Sequence, residues 1–360
     1  MLNYRYKNNR EPLIHLNQAQ LEMKKSVEKK VSKGVYKFKK TPCCICGEED
    51  FESLSHKDMY GFYFPVVICK LCGFIQTNPR MTQESYNLFY NNEYNKLDRP
   101  YYQDTHDKKF YQNIDNFFKA QFFRGEAIYN YLKKTNNLHK KDHELFILEV
   151  GCGAGGILQY FRKKGCTVKG IDLGEEYLMY GKEKYGLDLV FGTIFDIFFD
   201  RKPDVIIYSH VIEHLLKPNN ELCKLKNIIN EEGILYIAMP GIKNIKKGKT
   251  LLSILRNAHV SHFSLTTLVN LLQKNGWELI IGDEGIKSLF KVLCSNKDIK
   301  IVNDYKNAIT YLRKIERFRW FIKFYHEKIK DPIKTILRKW LLFFGVYNFF
   351  KKVYRKLKNF

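Results

Sequence analysis

The sequence predicts an α/β fold built on a doubly wound parallel sheet, and three observations carry that expectation. Short apolar runs alternate with amphipathic stretches through the second half of the chain, the pattern that lays strands side by side with helices on both faces. One run, Leu145 to Val150, opens into a bend of small residues with glycine at 151, 153, 155 and 156, and a helix-like stretch from Ile157 to Lys164 follows. The next apolar stretch, Val168 to Ile171, ends in Asp172. A strand, a glycine bend and a helix bring backbone N–H groups to a helix N-terminus, where a ligand can approach closely. An acid about twenty residues on is placed for ribose hydroxyls. The reading is a nucleoside site at the carboxyl edge of the sheet.

The chain of 360 residues is long enough for two domains, or for one α/β domain with appendages. A hydrophobic share of 45% with 15% aromatics belongs to a core-forming protein and not to a disordered one. The first ten residues hold no apolar run, so no secretory signal is expected. The longest apolar run, from Trp340 to Val346, is well short of the roughly 20 residues that span a bilayer. A cytoplasmic protein is the expectation. Of the net charge of +23, residues 1–41 carry about +8 and residues 299–360 about +13. The basic character belongs to the two ends, and the middle is nearly neutral.

Residues 1–41 read as a basic helical lead-in. Leu13, Leu16, Gln20, Met23, Val27 and Val31 fall at loose helical spacing, and Gly34 closes the helix. Residues 42–80 read as a zinc ribbon. Cys43 and Cys46 form one C-x-x-C turn and Cys69 and Cys72 a second, each followed by glycine. Two such turns aim four thiolates inward at the tetrahedral spacing that Zn²⁺ accepts. A reducing compartment disfavours disulfides, so a structural metal is the better account. Cys44 breaks the spacing and is a bystander, and His56 is a surface residue of the intervening loop. Residues 81–140 read as an aromatic linker and helical lid. Phe89, Tyr90, Tyr94, Tyr101 and Tyr102 are candidates for a lid or a substrate wall, with aromatic packing as the alternative. Phe110, Ile114, Phe117, Phe118, Phe122, Ile128 and Leu132 recur at helical spacing.

Residues 141–298 hold the sheet. After Asp172 the pattern predicts a helix over Glu175–Tyr185, a short strand at Leu187–Phe191 and a strand from Asp204 to Tyr208 with Ser209 and His210 at its edge. A helix is expected to start near Glu221, then a strand from Gly233 to Met239. Residues 242–264 read as a polar loop ending in H-V-S-H-F-S, which includes His259 and His262. Thr266 or Ser264 caps the helix Leu268–Lys274, and strands at Trp277–Ile281 and Leu289–Cys294 close the domain. Residues 299–360 read as a basic amphipathic tail. Its apolar residues, among them Ile309, Leu312, Phe318 and Trp340, recur at helical spacing among lysines and arginines. Such a face suits a helix lying on the anionic inner face of a membrane, or one packed on the core.

The loop itself reads E-V-G-C-G-A-G-G, with Glu149 two residues before the first glycine. A carboxylate there suits a ligand with a cationic centre and repels a pyrophosphate. This stretch, with Asp172 and the later D-V-I-I-Y-S-H-V-I-E-H-L, resembles the class I S-adenosylmethionine-dependent methyltransferases. The resemblance covers roughly residues 120 to 295. It implies a Rossmann-like, seven-stranded methyltransferase sheet with an antiparallel edge pair. It also implies S-adenosylmethionine held by Glu149, Gly151, Cys152, Gly153, Gly155, Asp172 and Leu173, with Thr193 and Ile194 flanking the adenine, Asp196 near it, and Ser209 contributing from the edge of the fourth strand. The ribbon, followed by Asn78-Pro79-Arg80, is similar to the N-terminal zinc-binding part of a methyltransferase group that includes sugar C-methyltransferases acting on nucleotide-linked deoxysugars. Those enzymes carry a Tyr-x-Glu-His motif whose histidine is taken as the base; here the tyrosine position is Val211.

Methyl transfer from a sulfonium is an in-line displacement, so alignment of donor and acceptor is the chief task. A poorly nucleophilic acceptor also needs a base. His214, oriented by Glu213, is the first candidate, and His262 is a weaker one. His210 is expected to line the donor cavity. The function expected is methyl transfer to a carbohydrate-type small molecule, a nucleotide sugar or a surface-polysaccharide intermediate. The alternative is an RNA-modifying methyltransferase that grips phosphate through the ribbon and basic ends. Against it, S-H-V-I stands where exocyclic-amine enzymes carry Asn/Asp-Pro-Pro-aromatic, and no Pro-Cys nucleophile follows that strand. A non-enzymatic binding protein would have no need of the intact set of Glu149, glycines and Asp172.

Overall fold

The computed structural model describes residues 1–94, 97, 108–135, 140–246, 248–293 and 300–325. Tyr101, Tyr102, Cys294 and the part of the tail beyond residue 325 lie outside them. After helix α1 (Gln18–Ser32) come strands β1 (Phe38–Lys39), β2 (Phe51–Lys57), β3 (Tyr63–Cys69), β4 (Ile75–Thr77) and β5 (Arg80–Met81). Helices α2 (Gln83–Phe89) and α3 (Lys108–Lys134) lead to β6 (Phe146–Val150), α4 (Gly156–Lys163), β7 (Thr167–Asp172), α5 (Glu175–Tyr185) and β8 (Leu189–Phe191). Then follow β9 (Val205–Ser209), α6 (Pro218–Ile228), β10 (Ile234–Ala238), β11 (Ser261–His262), α7 (Leu265–Lys274), β12 (Trp277–Ile281), β13 (Lys287–Val292) and α8 (Tyr305–Tyr325).

The main sheet has seven strands in the order β12-β13-β10-β9-β6-β7-β8. Its five central and far strands run parallel, and β13 pairs antiparallel with both β10 and β12. The fold is therefore the α/β sheet with an antiparallel edge pair that the sequence led one to expect. The chain runs outward from β6 to β8, then returns to place β9 on the other side of β6. That reversal opens a crevice at the carboxyl ends of β6 and β9, where such sheets hold ligands.

The period-2 alternation of strands sorts the side chains into two cores. Ile147, Val205, Ile207, Ile234 and Tyr236 face α3, α4 and α5, meeting Ile114, Phe118, Leu132, Leu158 and Phe161. Leu148, Ile206, Tyr208, Leu235 and Ile237 face the other way, against Leu222, Leu225, Leu268 and Leu272. Cys43, Cys69, Cys72 and Phe74 belong to this second core. The cysteine-bearing ribbon is thus seated on the main sheet. It is extended by the sheet's own domain, since β11 pairs antiparallel with β4 in the four-stranded order β11-β4-β3-β2.

Several boundaries differ from the sequence reading for local reasons. Leu13 lies before α1, because Asn17 caps the helix: its side chain accepts from the Gln20 amide at 2.9 Å and Gln20 reciprocates at 3.1 Å. Helix α6 begins at Pro218 and not at Glu221, proline being suited to a first helical position. Of the two candidate caps for α7, Ser264 is the one used, accepting from Thr267 N at 3.3 Å. Residues 242–264 are less open than their polarity suggests: Leu251, Leu252 and Leu255 are buried beside β2–β4 together with Ile309 and Leu312 of α8. The N-terminus joins them, with Arg5 Nε 3.2 Å from Glu316 Oε2 and the Tyr6 hydroxyl donating to the same carboxylate. Both basic ends are therefore docked on the body as far as they are described. No helix among the described residues is long and apolar enough to cross a membrane.

Candidate active site

The bend after β6 is a sharp one. Gly151, Gly153 and Gly155 have φ of 72°, 53° and 77°, backbone that side chains rarely adopt. Space enforces glycine as well at Gly151, where a Cβ would fall 2.6 Å from Val211 Cγ2. Asp172, at the end of β7, holds the bend from beside it. Its two carboxylate oxygens accept from Gly153 N and Gly174 N, both at 2.7 Å. A carboxylate has about four acceptor positions, so two remain for hydroxyl donors. Glu149 is 1% exposed, and its Oε2 has no hydrogen-bond partner among the described residues. Burial pushes its carboxyl well above the ordinary range, the nearby Asp172 pushes the same way, and Arg124 opposes. A buried acid with an unanswered oxygen is costly to keep apart from water. A cationic ligand in the crevice would answer it, which is the fit expected of a sulfonium amino-acid nucleoside.

The other residues expected at a donor site gather at the same edge. Thr193 and Ile194 follow β8, where Asp196 Oδ2 accepts from Thr193 N at 2.8 Å and from Thr193 Oγ1 at 2.6 Å. Ile194 is buried, Leu173 is half exposed at the rim, and Ser209 Oγ is buried without a partner among the described residues. The Cys152 side chain turns into the core beside Gly170 and Leu158, so only its backbone faces the bend. Sequence reasoning did not single out Gln121 of α3. Its Nε2 donates to Cys152 O at 3.1 Å and its Oε1 accepts from Gly156 N at 3.4 Å, fastening the lid helix to the loop.

Across the crevice, β9 ends in Ser209 and the chain turns through His210 at φ 59°. This left-handed position costs a histidine about 1 kcal/mol or more. It aims the segment 211–214 across the site. Glu213 is 2% exposed, and neither carboxylate oxygen has a hydrogen-bond partner among the described residues; His210 Nδ1 stands 3.4 Å from Oε1. Burial would raise its pKa, yet the adjacent His210 and His214 outweigh it and hold the carboxyl below its ordinary value. His214 Nδ1 lies 3.1 Å from Ala258 O. A carbonyl only accepts, so Nδ1 carries a proton, and Nε2 is the nitrogen that can accept or give up the second one. Ala258 O also accepts from the Tyr86 hydroxyl at 2.8 Å.

Aromatic rings surround His214. Tyr90 and Tyr94 lie 5.8 and 6.0 Å from it in T-shaped contacts and stack on each other at 5.0 Å. Of the aromatic candidates, these two reach the His214 ring, and together with Phe89 they pack into the core beneath the lead-in segment. His259, noted in the sequence only as part of a loop, has its ring 4.7 Å from that of His214. His262 is 4% exposed on β11, with its ring 6.3 Å from His259. Burial drives its pKa down to about 4, which leaves a neutral, weakly basic ring.

The cysteine cluster lies apart from this crevice. The Sγ pairs 43/72, 46/69 and 46/72 are 3.5, 3.4 and 3.7 Å apart, and all four sulfurs lie within 4.8 Å of one another. Four thiolates on zinc at about 2.3 Å stand roughly 3.8 Å apart, so the set fits. The two turns share one geometry: Gly47 N donates to Cys43 O at 2.9 Å and Gly73 N to Cys69 O at 2.8 Å, with φ of 84° and 80°. Cys44 stands outside the set and lends its carbonyl to Asn219 Nδ2 at 3.0 Å.

The family described as "Methyltransferase domain" matches residues 119–280, which span the lid helix, the glycine bend and most of the sheet. An uncharacterized methyltransferase of Staphylococcus carnosus is 30% identical over 105 residues, covering 29% of this chain and 50% of that protein. The ubiquinone biosynthesis O-methyltransferase of Glaesserella parasuis is 29% identical over 116 residues, covering 29% and 48%. The chain thus spans about half the length of these curated relatives. Among solved structures, Streptomyces venezuelae DesVI aligns with a TM-score of 0.39 at 14% identity, over 51% of this chain and 98% of that one.

Proposed function

We propose that this chain, whose middle is a class I S-adenosylmethionine-dependent methyltransferase domain, transfers a methyl group to a small carbohydrate-type acceptor. The observation that carries the reading is the buried, unanswered carboxylate of Glu149 behind a glycine bend braced by Asp172. The donor supplies an electrophilic methyl on a sulfonium. The chain's own residues do the rest. Glu149 meets the donor's positive charge, Asp172 its ribose, and the amides of the bend its polar edge, while Thr193 and Ile194 flank the base. Glu213 and His214 face the acceptor side. In the neutral ring fixed by Ala258 O, His214 Nε2 takes the acceptor proton. His262, buried and weakly basic, shapes the pocket. The rings of Tyr90 and Tyr94 beside His214 suit packing against the apolar face of a sugar, and the nearly neutral body suits a nucleotide sugar better than a nucleic acid.

The cysteine set holds a structural zinc in this reading. Metal analysis should find it in the purified protein, and Cys69→Ser should lose it. The tail is read as a peripheral membrane element on the cytoplasmic side. On α8, Phe318 and Phe321 are 46% and 58% exposed and lie beside Arg313, Lys314 and Arg317. Removing residues 299–360 should abolish co-sedimentation with anionic liposomes, and unchanged sedimentation would refute it. The function itself is tested with labelled donor and a panel of nucleotide sugars, polysaccharide precursors and RNA. Transfer to a sugar supports the reading; transfer confined to RNA overturns the acceptor class.

A further inference from the structure

Glu213, His214 and His259 each offer one ligand atom, and these atoms lie within 4.8 Å of one another. The three arrive by separate routes. Glu213 and His214 come from the turn after β9, and His259 from the chain that leads into β11. The two stretches are tied by Val260 N donating to Glu213 O at 2.9 Å and by His214 Nδ1 donating to Ala258 O at 3.1 Å. That second bond leaves Nε2 of His214 as its ligating nitrogen, and a carbonyl behind the other ring nitrogen is the usual support of a metal-bound histidine. Glu213 is an independent sign of a ligand: it is 2% exposed and both its oxygens lack a hydrogen-bond partner among the described residues. Two imidazoles and one carboxylate, the histidines half-buried at the mouth of a crevice, make a donor set with coordination positions left open.

We propose that Glu213, His214 and His259 form a binding site for a divalent transition-metal cation on the acceptor side of the crevice, distinct from the four-cysteine site. Ligand atoms on such a cation, with bonds of about 2.1 Å, stand roughly 3 to 4 Å apart. The three ligand atoms, within 4.8 Å of one another, are already close to that spacing. The purpose of the site rests on the methyl-transfer reading above: the open positions would take an acceptor oxygen and hold it in line with the donor, while the cation's charge favours the deprotonated acceptor. His214 is then a ligand in the loaded protein, and its role as base belongs to the metal-free protein.

The test uses the full chain, equilibrated with Zn²⁺, desalted and analysed for metal by mass spectrometry. Wild type should carry one equivalent more than His259→Ala and one more than the near-isosteric Glu213→Gln, while Cys69→Ser loses the other equivalent. With Co²⁺, the cysteine site gives a strong thiolate charge-transfer band that His259→Ala retains, whereas the weak bands of the nitrogen–oxygen site disappear. Equal metal content in wild type and both crevice variants, with native melting profiles, would overturn the site. Donor affinity measured by calorimetry on the same preparations keeps the two readings apart. Donor binding without the extra equivalent refutes only the cation; the extra equivalent without donor binding refutes the methyl-transfer reading.

Discussion

Single side chains carry charge states that the fold sets, and each can be read out. Burial, and then Asp172, push the Glu149 carboxyl upward, so a cationic donor favours loss of its proton. Calorimetry in two buffers of different ionisation heat should report proton release on donor binding, with donor affinity falling as the pH falls. Glu149→Gln should weaken binding about tenfold or more and abolish the release; a release that persists would place the proton elsewhere. His214→Ala should lower turnover by about a hundredfold or more while donor affinity stays. Asp58 offers a stability test away from the site. Its Oδ1 accepts from Tyr60 N and Phe62 N, both at 2.9 Å, but Oδ2 is buried without a partner among the described residues. Burial raises its pKa from 3.8 to about 7. A folded value above the unfolded one contributes stability that is complete below pH 3.8 and lost as the pH rises to about 7. Asp58→Asn should therefore be the more stable protein at pH 8, by on the order of 2 kcal/mol, and the gap should close towards acid pH in urea melts.

Elements are held in register by close backbone approaches as much as by apolar faces. Helix α3 lies directly on α4 because two glycines allow it: a Cβ on Gly156 would fall 2.3 Å from Phe118 O, and one on Gly125 would fall 2.8 Å from Ile157 O. Gly156→Ala must push the lid helix away and break the Gln121 bridge to Cys152. A loss of roughly 2–3 kcal/mol in stability, with weakened donor binding, is expected; a native melting temperature would contradict the packing account. The glycine run was plain in the sequence, and its role in admitting a ligand was the natural inference. Its second role, admitting a helix some 35 positions upstream, depends on a partner that no local spacing reveals. The same is true of Gly73, where Cys-x-x-Cys-Gly explains the positive φ but not the N-terminus of α8 lying 2.5 Å from its absent Cβ.

At the scale of the whole molecule, the ribbon and the methyltransferase sheet share one core, and β11, from the stretch between β10 and α7, joins the ribbon's own sheet. Removing the metal proposed for the four thiols should therefore unfold more than the ribbon. Cys69→Ser, or chelation, should lower the single melting transition of the protein and weaken donor binding with it; two separate transitions, the second unchanged, would show the ribbon to be an independent module. Charge is arranged on the same scale. Among the described residues the two basic ends meet, where Arg5 and Tyr6 close on Glu316.

The succession of strands and helices in the main sheet, the bend after β6, the acid at the end of β7 and the four-thiol spacing were legible in the sequence, because each is a local pattern of one to thirty residues with a short-range physical cause, whereas β1–β5 and β11 were not read there. Glu213 and His214 were legible for the same reason. Only the folded chain brings His259, 45 positions later, to His214, sets Ala258 O against Nδ1, and packs the Tyr90 and Tyr94 rings on that imidazole. The folded chain also brings β11 beside β4 in the ribbon's own sheet. Those contacts join residues distant in the chain, and their free energy comes from burial and hydrogen bonds that exist only once every strand has found its neighbour.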